Sequence, residues 1–218
     1  MQSIENFYVH DPVSGKKPEQ LVILLHGLGS NGQDLISLAP FYARMLPDAV
    51  FVSPDAPFPC DMAPVGFQWF SLQSWSQEAF LHGVHTAAPI LDSFIAEQME
   101  NYNLPADKVA LVGFSQGTMM SLYTGPRFPE KLAGVLGYSG GLVWENDVDP
   151  ASLQKVPVHL IHGDADPVVE IGRYYDAKDR LEAAGFKVSG GVTEGLMHNI
   201  DEEGILSGSV FLKDVLGV

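Results

Sequence analysis

The sequence predicts an α/β fold, a mostly parallel central sheet with helices on both faces. Two observations carry that expectation. Short, uninterrupted aliphatic runs recur along the chain, and a strand that is apolar on both sides is one covered by helices on each face. Between the runs lie stretches in which apolar residues recur at helical spacing, so strand and helix signals alternate as in successive β-α-β units.

The elements follow in order. Residues 1–19 are polar, with turn chemistry from Asp11-Pro12 to Gly15, and are expected to form an edge hairpin. The run Gln20–Leu25 is the first buried strand and ends at His26-Gly27. A helix is expected over 33–46 and a strand over Ala49–Ser53. The segment Pro57–Ser76 has three prolines, Cys60, Met62, Phe67, Trp69, Phe70 and Trp75 without a clean period. It reads either as a loop folded over the core edge or as the wall of an apolar substrate pocket. On the second reading Phe67, Trp69 and Phe70 line the pocket, joined by Met197. From Gln77 to Tyr102, Ala79, Val84, Ala87, Ala88, Leu91, Phe94, Ile95 and Met99 fall at helix spacing. Strands are expected at Lys108–Gly113, Leu132–Tyr138, Val158–His162 and Phe186–Val192, with helices over 116–126, 169–184 and 201–215. These elements consume nearly the whole chain, so a single domain over 1–218 without a cap domain is expected.

Composition narrows the classes of function. The chain has 218 residues, 46% hydrophobic and 18% charged, which is globular rather than disordered. Twelve Lys and Arg against 27 Asp and Glu leave a net charge of −15, which opposes binding to nucleic acid or to an anionic membrane surface. Cys60 is the sole cysteine, which excludes an internal disulfide or a cysteine-cluster metal site. The N-terminal residues lack a basic and an apolar region, so they do not read as a secretory signal. The longest aliphatic run, Leu21–Leu25, is far short of the roughly 20 residues of a membrane span. A soluble, cytoplasmic protein with no nucleic-acid partner and no stable membrane insertion is the expectation.

The strand Lys108–Gly113 runs directly into Gly113-Phe-Ser115-Gln-Gly117, and a helical stretch follows from Thr118. Gly-x-Ser-x-Gly between a buried strand and a helix is a nucleophile elbow. The turn is so sharp that side chains at 113 and 117 would collide with the neighbouring strand and helix, and glycine removes the collision. It also places Ser115 at a helix N-terminus, where free N–H groups favour developing negative charge.

A serine hydroxyl needs a base, and in this architecture an acid and then a histidine follow it in sequence, each beyond a later strand. Asp166, in His162-Gly-Asp164-Ala-Asp166-Pro, is the preferred acid because it lies beyond the turn; Asp164 is the rival and more naturally caps that turn. His198, in Glu194-Gly-Leu-Met-His198, is the one histidine that follows Asp166. His26 and His162 read as loop-orienting residues, and His82 and His85 share one face of the long helix. An oxyanion needs preorganised donors. The backbone N–H of Gln116 is one, and the glycine-rich loop His26–Gly32 supplies the other, with Leu28 the favoured residue. Gly27-x-Gly29-x-x-Gly32, with Asp55 ending the next strand, also matches a dinucleotide fingerprint, but that reading leaves the serine, acid and histidine unexplained.

Together, Leu25-His-Gly-Leu-Gly29, Gly113-Phe-Ser-Gln-Gly117, His162-Gly-Asp-Ala-Asp-Pro-Val168 and Glu194-Gly-Leu-Met-His198 resemble the phospholipase/carboxylesterase family of small α/β-hydrolases. That family includes the acyl-protein thioesterases and bacterial carboxylesterases. The resemblance covers about 20–215 and implies an α/β-hydrolase fold, Ser115 as nucleophile, Asp166 as acid and His198 as base. It further implies Leu28 and Gln116 as oxyanion donors, no metal or organic cofactor, and small-molecule acyl esters or thioesters as substrates. Thr118 stands where many members carry glycine, Ser30 where the thioesterases often carry aspartate, and Glu170 replaces a frequent proline. The expected activity is a serine carboxylesterase acting on short- to medium-chain acyl esters, with thioesters and lysophospholipids as further candidates. The alternatives are an acyl-protein thioesterase, a peptidase or dienelactone-type hydrolase on the same fold, and a binding protein that has kept the fold without catalysis.

Overall fold

The computed structural model describes residues 3–218. Its main sheet contains β1 (Phe7–His10), β2 (Gln20–Leu25), β3 (Ala49–Pro54), β6 (Val109–Phe114), β7 (Gly134–Tyr138), β8 (Val158–Gly163) and β9 (Val188–Thr193). The order across it is β1-β3-β2-β6-β7-β8-β9. All neighbours are parallel except β1, which pairs antiparallel with β3 from Phe7↔Pro54 to His10↔Phe51. A two-residue ladder, β4 (Phe58–Pro59) with β5 (Phe67–Gln68), forms a second small sheet.

The helices are α1 (Gly32–Ile36), α2 (Ala39–Tyr42), α3 (Gln77–Tyr102), α4 (Gln116–Thr124), α5 (Gly172–Ala183) and α6 (Glu202–Leu216). The side chains of β2 alternate between two cores. Leu21, Ile23 and Leu25 join the cluster built with α3, α4 and α5, while Val22 and Leu24 join the one built with α1, α2 and α6. This two-sided burial is why the strand is apolar at every position from Leu21. The helix α3 starts at Ser76, whose hydroxyl accepts the N–H of Ala79, and stops at Asn103 in the left-handed conformation.

Three local expectations need correction. The N-terminal segment is not a hairpin. β1 lies beside β3 and is separated from β2, because the turn at Asp11–Gly15 is followed by a crossing rather than by a returning partner strand; Met1 and Gln2, also part of that expectation, lie outside the described residues. The helix expected over 33–46 is two short helices, with Pro40 in the first turn of the second, where a missing N–H costs nothing. The last strand is an open edge, largely exposed and containing Gly190 and Gly191, rather than a run buried on both faces. No helix among the described residues is long and apolar enough to cross a membrane.

Candidate active site

The chemistry-bearing residues gather where the parallel strands end. Ser115 follows β6 directly and precedes α4, with φ 54° and ψ −115°, a left-handed φ that a non-glycine residue adopts only under strain. The surroundings force the turn. The Ser115 N–H donates to Tyr138 O at 2.9 Å, and its carbonyl accepts from Thr118 and Met119. A Cβ at Gly117 would run into the carbonyl of Leu25, and one at Gly113 into the backbone of Gly117 and Thr118. Thr118 gains a role from its extra atoms. Its Oγ1 lies 2.8 Å from Gly113 O and 2.7 Å from Tyr138 O, and it accepts the Tyr138 N–H at 3.0 Å, joining the ends of β6 and β7.

Asp166 and His198 meet across two loops. His198 Nδ1 lies 2.7 Å from Asp166 Oδ2, and since a carboxylate can only accept, the imidazole donates from Nδ1. The other carboxylate oxygen accepts the N–H groups of Val168 and Val169 at 2.8 and 2.9 Å. Burial alone would raise the Asp166 pKa, but the hydrogen bonds from His198, Val169 and Val168 outweigh it and hold the carboxyl below its ordinary value. Asp164 instead accepts the N–H of Gly195 at 2.6 Å. The His198 ring packs on Phe114, with centroids 4.9 Å apart, and so sits over the residue before Ser115. The Ser115 hydroxyl itself makes no hydrogen bond to His198 or to any other described residue.

Two further histidines hold loops. His162 is buried, donates from Nε2 to Val169 O at 2.7 Å, and thereby steadies the turn that cradles Asp166. His26 donates from Nδ1 to Gly27 O and accepts the Ala56 N–H at Nε2, which fixes its tautomer. Burial lowers the pKa of both, which favours the neutral rings these contacts require. The N–H groups of Leu28 and Gln116 donate to no described residue, which leaves them available to a ligand.

Of the two readings of the aromatic segment, the loop folded over the core describes Trp69 and Phe70, and the segment adds ties to the elbow that its pattern did not indicate. Trp69 and Phe70 are buried in the core instead of facing a pocket, and Phe70 packs on Gly83 of α3. The Gln116 side chain accepts the Trp69 N–H at 2.9 Å and donates to Phe70 O at 2.7 Å, while Trp69 Nε1 donates to His26 O. Phe67 pairs with the glycine loop: the Gly29 N–H donates to Phe67 O and the Phe67 N–H to Ser30 O, both at 2.8 Å. The segment therefore clamps the glycine-rich loop and the elbow to each other. Met197 is exposed beside His198. The available signal was the long amide at Gln116, in a turn packed tightly enough to demand glycine on either side.

A cavity of about 610 Å³ opens elsewhere, and none of Phe67, Trp69, Phe70 or Met197 lines it. Its walls include Trp75 just before α3 and Phe80 in its first turn, Met119 one turn beyond Ser115, Leu142 and Val143 after β7, and Val168 and Val169 after Asp166. Trp69 and Phe70 go to the core because burying two large aromatic rings stabilises more than leaving them at an open, solvent-filled groove.

A parallel sheet with one antiparallel edge strand and a strand–turn–helix elbow at Gly113–Gly117 is the architecture of the α/β-hydrolases. The family description phospholipase/carboxylesterase matches residues 9–216, and the chain belongs to that family of hydrolases. Esterase YpfH of Escherichia coli K12 is 29% identical over 197 residues, which are 90% of this chain and 82% of that protein. Acyl-protein thioesterase 1 of Debaryomyces hansenii is 30% identical over 93% of this chain and 94% of its own length. The crystal structure of esterase PE8 superposes with a TM-score of 0.89 at 39% identity, over 96% of this chain and 98% of that one. Acyl-protein thioesterase 2 of Zea mays shares the fold, with a TM-score of 0.76 at 23% identity over 97% and 99% of the two chains.

Proposed function

We propose that the protein is a serine carboxylic-ester hydrolase acting through an acyl-enzyme on short- to medium-chain acyl esters, with Ser115, His198 and Asp166 as its triad. The observation that carries this reading is the imidazole of His198, fixed by a buried carboxylate and packed against the residue before a strained serine. With its proton held on Nδ1, the ring keeps Nε2 free to accept one. As His198 takes the Ser115 proton, Oγ adds to the ester carbonyl, and the developing oxyanion is met by the N–H groups of Leu28 and Gln116. The same imidazole then protonates the departing alcohol or thiol. Water, deprotonated by His198, releases the acid. Hydrogen bonds of this kind are often long without substrate and tighten when the acyl group docks. Asp166 stays ionised throughout and stabilises the imidazolium. One arm of the substrate enters the cavity walled by Trp75, Phe80, Met119, Leu142, Val143 and Val168.

The test is labelling with a fluorophosphonate, together with hydrolysis rates across p-nitrophenyl esters of rising chain length and a matched acyl-thioester. Ser115→Ala is expected to abolish labelling and to lower turnover by several orders of magnitude without changing the melting temperature by more than a few degrees. Near-normal esterase rates in that variant would overturn the proposal. Faster turnover of the thioester than of the oxygen ester would favour the acyl-protein thioesterase reading, which the similarity to the yeast relative supports.

A further inference from the structure

The cavity wall is part apolar and part polar, and one of its cations forms no ion pair with a described residue. Two arginines line it. Arg180 is committed: its guanidinium donates to the carbonyls of Trp144 and Glu145 and lies 3.8 Å from Asp176. Arg173 is different. Its stem packs along Gly141, where a Cβ would come within 3.3 Å of it, and its guanidinium lies over the Phe80 ring at 5.9 Å from the centroid. It is exposed and makes no ion pair with a described residue, although Glu170 and Asp176 both share the cavity wall. What sets Arg173 apart from the other unpaired cations is its place: a stem packed on Gly141 brings its guanidinium to the cavity wall, over the Phe80 ring.

We propose that Arg173 selects substrates by charge: the cavity takes an ester arm that ends in a carboxylate, which the Arg173 guanidinium binds, with the apolar walls covering the methylenes between that carboxylate and the scissile carbonyl. A guanidinium offers a carboxylate two parallel N–H donors, and the ring beneath it limits the directions from which solvent can compete. The acidic surface repels anions at long range, so this recognition acts after encounter and shows in KM rather than in steering. The proposal rests on the hydrolase reading above and names the substrate class of that site.

The experiment compares p-nitrophenyl half-esters of adipic, pimelic and suberic acids with the p-nitrophenyl esters of the monocarboxylic acids of the same chain lengths. The readout is the ratio of kcat/KM, anionic over neutral. Arg173→Met keeps the apolar stem and removes the charge; it is expected to lower the ratio about tenfold, chiefly through KM, with Arg173→Lys intermediate. A ratio unchanged within twofold in Arg173→Met overturns the proposal. Should that variant fail to fold, a ratio unchanged within twofold in Arg173→Gln overturns it. Absence of hydrolysis of every ester, together with no fluorophosphonate labelling, would instead bring down the hydrolase reading itself.

Discussion

Replacing Asp166 by asparagine isolates the one contact on which the proposed chemistry depends. The variant keeps a carbonyl oxygen that can accept the N–H groups of Val168 and Val169, now at 2.8 and 2.9 Å, so the turn is held. Its NH2 group then occupies the place of the oxygen that receives the His198 Nδ1–H at 2.7 Å. Two donors cannot face each other, so the imidazole must give up its Nδ1 proton and carry it on Nε2, where it can no longer take one from Ser115. The corresponding exchange in a serine-protease triad lowers kcat about 10⁴-fold, and a loss of about 10³ to 10⁴ is expected here, roughly 4–5.5 kcal/mol on the barrier. Losing a charge-assisted bond while keeping the others is expected to destabilise the fold by only about 1–3 kcal/mol. Steady-state hydrolysis of p-nitrophenyl butyrate, run beside thermal denaturation, separates the two effects. The control is Asp164→Asn, which also keeps a carbonyl for the Gly195 N–H and is expected to lose less than tenfold in rate. More than a tenth of the activity surviving in Asp166→Asn, or collapse in Asp164→Asn instead, would refute the reasoning.

The same carboxylate gives a pH signature in stability. Because its pKa is held below the ordinary value in the folded protein, Asp166 stabilises the fold above the unfolded carboxylate pKa, and that contribution fades as pH falls through the folded one. The stability deficit of Asp166→Asn at neutral pH is therefore expected to shrink below about pH 4.

Two other substitutions test the packing. Asp92 on α3 has a buried carboxylate oxygen without a hydrogen-bond partner among the described residues, and burial pushes its pKa up to about 6. The raised value means stability is lost as pH climbs from the unfolded pKa to the folded one, so Asp92→Asn is expected to stabilise by about 1–2 kcal/mol above pH 6, allowing for solvent screening, and to do nothing below about pH 4; denaturant midpoints at the two pH values would show whether the gain is missing. Gln116→Met leaves the Trp69 N–H and Phe70 carbonyl without their buried partner, which is expected to cost about 2–5 kcal/mol and to lower the melting temperature by about 5–15 °C. An unchanged melting temperature would show that the amide does not hold that segment.

The sheet was legible in the sequence because a strand covered on both faces leaves no polar position, as in Leu21–Leu25, and because a side chain at 113 or 117 has nowhere to go once strand and helix meet at Ser115. The pairing of His198 with an aspartate near a strand end could also be anticipated, since each candidate had to follow the serine in order. Local pattern could not decide which edge Phe7–His10 would join, because an edge strand takes its partner from whatever neighbour the crossover leaves open. Nor could it tell whether Trp69 and Phe70 would face ligand or core. Both outcomes demand the same apolar surface, and only the three-dimensional closeness of Gln116 and Gly83 assigned them to the interior. The cavity and its unpaired arginine belong wholly to tertiary structure, since Phe80, Gly141 and Arg173 come from three distant segments and acquire meaning only when the packed helices bring them within reach of one another.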